Sequence, residues 1–121
     1  MTDYTKRVEA AISKSKDAFD SKCVFTRSKN IDGAHIVPRD FKSSLGIGKK
    51  FADNEYNIVP LSRKQHNYFD KKTPEQKIGL LKELAFIDSS QRPDREELIH
   101  RLERLELALD ECYGDLWRDD R

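Results

Sequence analysis

The chain has 121 residues, of which 36% are hydrophobic and 37% charged, and its formal net charge is +1. This length suits one domain and is too short for two well-buried cores, while the charge content favours a soluble protein with a modest core. No apolar run approaches the length of a membrane span, and the first residues lack the apolar centre of a signal peptide, so we expect an intracellular, cytoplasmic protein without a membrane partner.

The first half of the chain predicts a helix followed by a β-hairpin. Residues 3–20 carry an apolar face at helical spacing, made by Val8, Ala11, Ile12, Ser15 and Phe19. Two short runs, 23–26 and 34–38, are rich in β-branched or aromatic residues and flank turn-formers, which predicts a hairpin. Residues 40–56 hold two glycines and predict an irregular loop, after which Pro60 keeps its neighbours extended.

The second half predicts three helices. Ser62 is a suitable N-cap for a helix that continues to about residue 72. Thr73, Pro74 and Gln76 then form a capping-box pattern that opens another helix.

The last helix, from about residue 94 to 117, has apolar residues alternately four and three positions apart: Leu98, Leu102, Leu105, Leu109, Cys112 and Leu116. This seam is typical of a helix packed on its own domain and of a dimer-forming coiled coil, and both alternatives stay open.

Together these elements predict an α+β, mostly helical fold in a single domain, 1–121. We expect an N-terminal helix within 1–21, a unit of β-hairpin plus helix within 22–72, and a C-terminal helical region over 73–121. The fold class is therefore a small ββα core flanked by helices.

Four polar residues fall at informative places in the central unit. His35 lies in the second predicted hairpin strand, Asn57 ends the loop, and His66 lies one turn into the following helix. Asp70 shares the helical face of His66, because positions i and i+4 stack above one another. An imidazole nitrogen and a carboxylate oxygen on one face can hold a divalent cation, and a histidine facing that helix would be a base beside it.

The stretches CVFT, DGAHIVPR and NIVPLSRKQHNYFD resemble the HNH, or ββα-metal, nuclease motif, in a variant with the pattern A-H-I-x-P…N-x8-H-x3-D. The resemblance covers residues 23–70, about two fifths of the chain. It implies an endonuclease that hydrolyses DNA with one divalent metal ion and leaves 5′-phosphate and 3′-hydroxyl ends. Mg²⁺ is the expected ion, and Mn²⁺, Co²⁺ or Ni²⁺ can substitute.

The resemblance also implies a role for each matching residue. His35 corresponds to the general base that takes a proton from the attacking water, and Asn57 to the residue that ties the loop to the hairpin by side-chain hydrogen bonds. His66 and Asp70 correspond to metal ligands on the helix. One such site cuts one strand, so a monomer should nick DNA, and a homodimer formed through the last helix should cut both strands.

The sequence departs from the family pattern at two places. Ala34 stands where many members carry another metal ligand, which leaves two protein ligands unless Asp32 folds back to the site. Many members also brace the motif with a zinc knuckle, and here Cys23 remains while Thr26 stands where a second cysteine would fall. We therefore expect no structural zinc. Hydrophobic packing should replace the brace, by Phe25, Ile36, Val59 and Leu61.

The near-zero net charge conceals an uneven distribution. Residues 22–77 contain twelve Lys and Arg against six Asp and Glu, whereas residues 78–121 contain seven against twelve. A polyanion such as DNA would meet the basic middle. The expected DNA contacts are Arg39 and Arg63 near the scissile phosphate, and Lys49, Lys50 and Lys64 on the backbone.

Two other functions are open at this point. Ala34 motivates a nucleic-acid-binding module with weakened catalysis, which would bind DNA regardless of metal or of His35→Ala. The acidic last helix motivates a subunit of a larger phage or restriction assembly, which would associate tightly and bind DNA weakly.

Overall fold

The computed structural model of the chain describes residues 3–87 and 94–118. Its elements follow the order α1 Asp3–Ala18, β1 Asp32–His35, α2 Ile47–Phe51, β2 Ile58–Leu61, α3 Arg63–Phe69, α4 Pro74–Ile87 and α5 Arg95–Tyr113. Short 3₁₀ turns, Glu55–Asn57 and Gly114–Trp117, precede β2 and follow α5. The α+β, mostly helical prediction is confirmed.

The two strands form an antiparallel pair in which Asp32 lies opposite Leu61 and His35 opposite Ile58. The predicted hairpin between 23–26 and 34–38 is therefore wrong, because the partner of the His35 strand lies beyond the loop. Residues 23–26 instead form a turn, closed by a hydrogen bond from Arg27 N to Cys23 O at 2.9 Å. The local apolar pattern there reflects burial of Cys23 and Val24 rather than a strand.

The loop predicted to be irregular contains helix α2. Gly48 makes this helix possible, because a Cβ atom at that position would lie 2.0 Å from the main-chain oxygen of Pro38. The absence of a side chain thus lets α2 pack directly on the segment that leaves β1.

The predicted helices α1, α3, α4 and α5 are all present, with ends close to those expected. The capping box of α4 is confirmed, since Gln76 N donates to Thr73 Oγ1 and Thr73 N donates to Gln76 Oε1. Ser62 occupies the N-cap of α3, but its side chain makes no capping hydrogen bond.

The core lies between the strand pair and the surrounding helices. The four residues expected to pack in this region are in or against the core: Ile36, Val59 and Leu61 are buried, and Phe25 packs edge-on against Phe69 with ring centroids 6.3 Å apart. Cys23 is buried and Cys112 exposed, both as free thiols.

The apolar residues along α5 pack mostly within the core of the same chain. Leu98, Leu102, Leu105 and Leu109 are buried in the core, whereas Cys112 and Leu116 are exposed. This is the packing expected of a helix on its own domain. A homodimer through α5 stays a prediction, and it would have to use residues other than these four leucines.

Among the described helices, none combines the length and apolar character needed to cross a bilayer.

Candidate active site

The strand register places Asp32 beside the start of α3. Asp32 pairs with Leu61, and α3 begins two residues after that partner, at Arg63. Asp32 Oδ2 consequently lies 3.1 Å from the guanidinium of Arg63 and 3.2 Å from Nδ1 of His66, one turn further along α3. Asp32 thus reaches the predicted site as a partner of the His66 ring, and its role as a further metal ligand stays a prediction.

The contact between Asp32 and His66, shorter than that between Asp70 and His66, favours one tautomer of the neutral His66 ring. A carboxylate oxygen accepts hydrogen bonds, so Nδ1 of His66 is the protonated nitrogen and Nε2 keeps its lone pair. A carboxylate that orients a histidine in this way is a common outer partner of metal-binding imidazoles.

The predicted ligand pair is brought together at the C-terminal end of α3, where Asp70 is the C-cap. His66 Nε2 lies 3.5 Å from Asp70 Oδ1, as the i and i+4 spacing requires. Two atoms at this separation can both contact one cation about 2.1 Å away, which suits Mg²⁺ and similar ions. The donor set therefore fits a cation that keeps several waters. Within 3–87 and 94–118, no group of three or more His, Cys, Asp or Glu side chains is placed to hold a metal ion.

His35 lies at the end of β1 and is partly buried. Its Nε2 is 2.9 Å from the main-chain oxygen of Ala52, the residue that ends α2. Because a carbonyl oxygen accepts, Nε2 carries the proton and Nδ1 is the nitrogen left to act as a base. Strand alternation puts His35 and Asp32 on opposite faces of β1, and the described contacts do not join His35 directly to His66 or Asp70.

Asn57 is fully buried and makes the contacts that the resemblance implies. Its Oδ1 accepts from Val37 N at 2.8 Å, and its Nδ2 donates to Val37 O at 3.1 Å and Phe51 O at 3.0 Å. The side chain thereby joins the start of β2, the residues that follow β1, and the end of α2. These bonds hold the main chain at Val37, two residues after His35.

Lys77 is a site residue that the sequence did not reveal. It lies on α4 with no exposed surface, and its Nζ donates to the main-chain oxygen of His35 at 3.2 Å. Its ammonium also lies 5.4 Å from the centroid of the Phe69 ring. Burial lowers the pKa of Lys77 to about 8, although the charges of Asp70 and Asp40 oppose that shift. A buried cation therefore lies behind the general-base candidate.

The predicted DNA contacts separate into two groups. Arg63 and Lys64 are exposed at the start of α3, beside the His66 pair. Arg39 instead lies over the ring of Tyr4, with 4.9 Å between the guanidinium carbon and the ring centroid, and Lys49 and Lys50 line a cavity next to the same ring. Arg39 is thus placed by α1 rather than by the metal-ligand pair.

Comparisons of the chain with protein-family models, with curated proteins and with solved structures found no match.

Proposed function

We propose that this chain is a divalent-metal-dependent endonuclease of the HNH, ββα-metal type that hydrolyses DNA phosphodiester bonds. The observation that carries the proposal is the pair of complementary imidazoles. Hydrogen bonds to Asp32 and to Ala52 O leave one free lone pair on His66 Nε2, beside Asp70, and one on His35 Nδ1. One histidine is prepared to bind a cation and the other to accept a proton.

In the proposed reaction the chain supplies binding groups and a base. His66 and Asp70 would hold the divalent cation, which when bound offsets negative charge on a phosphate oxygen and on the departing 3′ oxygen. The resemblance assigns to His35 Nδ1 the removal of a proton from the attacking water, and no described contact joins His35 to the metal-ligand pair. Arg63, whose side chain is 72% exposed, is available to a phosphate next to that pair. The products carry 5′-phosphate and 3′-hydroxyl ends.

Asp32, Asn57 and Lys77 act through these groups. Asp32 holds the His66 ring in the tautomer that binds metal, and Asn57 fixes the backbone on both sides of the loop. Lys77 anchors the main chain at His35. A single site of this kind cuts one strand, so we expect a monomer to nick duplex DNA.

A metal-independent binding module is the second candidate. It is favoured by Ala34, which is fully buried on the same strand face as Asp32 and adds no ligand. In that case the basic surface would bind DNA while the histidines contribute to the fold alone.

Nicking of supercoiled plasmid separates the two candidates. The full chain is incubated with EDTA, Mg²⁺, Mn²⁺ or Ni²⁺, beside His35→Ala and a matched control, His100→Ala, whose histidine is exposed on α5. We expect metal-dependent conversion to open-circular DNA that is lost in His35→Ala and kept in His100→Ala. Intact plasmid with every metal, together with a mobility shift that persists in EDTA, would favour the binding module.

A further inference from the structure

A second cationic site lies between α1 and α2, away from the metal-ligand pair. A shallow cavity of about 400 Å³, open to solvent, lies there and is lined by Tyr4, Arg7, Gly46, Lys49, Lys50 and Asp53. Arg39 adds a fourth cation, because its guanidinium lies over the Tyr4 ring. Three cations thus line the cavity and a fourth lies against its Tyr4 ring, while Asp53 is the one acidic residue in the described lining.

Three of these cations are held by neighbouring side chains. Arg7 bonds to Asp53 Oδ2 at 2.8 Å, and its guanidinium carbon lies 5.8 Å from the Tyr4 centroid. Arg39 lies 4.9 Å from the same centroid, and Lys50 Nζ lies 5.7 Å from that of Tyr113. Cations held in this way lose less conformational freedom when they bind an anion. Guanidinium groups also match the geometry of phosphate oxygens.

We propose that this cavity binds a backbone phosphate of the DNA substrate, at a position other than the scissile phosphate. The inference rests on the proposed function for the identity of the polymer. The residues favour phosphate over a stacked base, because two guanidinium groups already occupy positions against the Tyr4 ring. Contacts to phosphate position the duplex without reading its sequence.

Helix α2 joins the cavity to the general-base candidate. Helix α2, which carries Lys49 and Lys50, packs on Pro38 and Arg39 at Gly48, and it ends at Ala52, whose carbonyl holds the ring of His35. A phosphate bound in the cavity therefore fixes the DNA strand relative to His35. A second contact to the DNA backbone, placed beside a cleavage site, orients the scissile bond.

The test measures binding without cleavage. Fluorescence anisotropy of a labelled 20-base-pair duplex is recorded in EDTA over a range of salt concentrations. The variant is Lys49→Gln/Lys50→Gln, and the control with the same charge change is Lys29→Gln/Arg104→Gln, two exposed residues outside the cavity. We expect the cavity variant to bind at least about tenfold more weakly at 0.1 M salt. The slope of log affinity against log salt should fall by about two, and the control should retain the slope of the parent chain.

Two outcomes would overturn the inference. One is equal affinity and slope for the cavity variant and its control. The other is binding of the parent chain to vesicles of phosphatidylserine and phosphatidylcholine with no affinity for the duplex, which would assign the site to a membrane surface. Both are distinguishable from failure of the proposed nuclease, because absence of nicking in Mg²⁺ or Mn²⁺ leaves the EDTA measurement unaffected.

Discussion

The ammonium of Lys77 and the main-chain carbonyl of His35 form a hydrogen bond of 3.2 Å beneath the surface of the protein. The bond ties α4 to the end of β1, where the general-base candidate lies. It also keeps a positive charge out of water, which costs free energy of folding. Two consequences can be measured, one in stability and one in activity.

Replacement of Lys77 by Met should remove a pH dependence of stability. Below pH 8 the lysine is protonated in the folded and unfolded states, so its burial cost is fully present. Between pH 8 and 10.5 the folded state has lost the proton while the unfolded state keeps it, so the free energy of unfolding of the parent chain should rise with pH. The rise attributable to Lys77 is about 3 kcal/mol.

Urea unfolding at pH 7, 8, 9 and 10 provides the measurement for Lys77→Met, with exposed Lys71→Met as control. The free energy of unfolding of the parent should rise relative to that of Lys77→Met between pH 7 and 10. Nicking by Lys77→Met should fall, because the main chain at His35 loses its hydrogen bond from Lys77. Parallel stability curves would contradict the assignment of the low pKa to Lys77.

Asp32→Ala should weaken metal binding at His66 without removing a ligand. The carboxylate holds Nδ1–H of His66, so its loss allows the other tautomer and should lower Mn²⁺ or Ni²⁺ affinity by about tenfold or more. Calorimetry gives the affinity, and nitrogen NMR of the His66 ring gives the tautomer. Asp17→Ala, an exposed carboxylate on α1, is the control. An unchanged spectrum of the His66 ring would contradict the role of Asp32 in orienting that ring, even if activity fell.

Asn57→Ala should be strongly destabilising. It leaves the main-chain groups of Val37 and Phe51 buried without their side-chain partner, which costs about 2–4 kcal/mol in the free energy of unfolding. Urea denaturation of Asn57→Ala beside Asn67→Ala, an exposed amide on α3, measures the difference. Equal midpoints for the two variants would show that the three hydrogen bonds add no net stability.

Two glycine-to-alanine changes should act in opposite directions. Gly48→Ala places a methyl group 2.0 Å from Pro38 O, so α2 must move, at a cost of about 1–3 kcal/mol. Gly79→Ala lies inside α4 with open space around it and should stabilise by about 0.5–1 kcal/mol. Thermal unfolding of both proteins tests the pair. Because Gly48 sets the position of Lys49 and Lys50, its variant should also bind DNA more weakly, whereas Gly79→Ala should bind normally.

The parts of the fold that could be predicted from the sequence are those determined by residues close together in the sequence. The capping box of α4 and the apolar seam of α5 are written within a few turns of chain, and both are present. The strand pairing was not predictable in this way, because β1 pairs with residues beyond α2 rather than with the nearer run at 23–26. Local hydrophobicity indicates that a segment is extended or buried, but it does not determine which strand the segment pairs with.

The same division applies to the candidate site. His66 and Asp70 lie on one helix, so their proximity follows from helical periodicity, and the contacts of Asn57 agree with the family resemblance. Lys77 could not be identified from the sequence, since a lysine in a helix is usually exposed. The one sequence signal of its burial is its position next to Ile78, on the otherwise apolar face of α4. The tertiary fold alone shows its contact with His35.

The long connection between the strands divides the residues of the candidate site between two stretches of polypeptide. His35 lies before it, and Asn57, His66 and Asp70 lie after it, while Ser43 and Ser44 are exposed near its middle. A backbone cut at these serines would leave two inactive halves, one with each imidazole. The halves would regain function when β1 and β2 reassociate and Asn57 again bonds Val37. For the proposed nuclease, this is the layout of a split enzyme, and recovered nicking would report that the two pieces have reassociated.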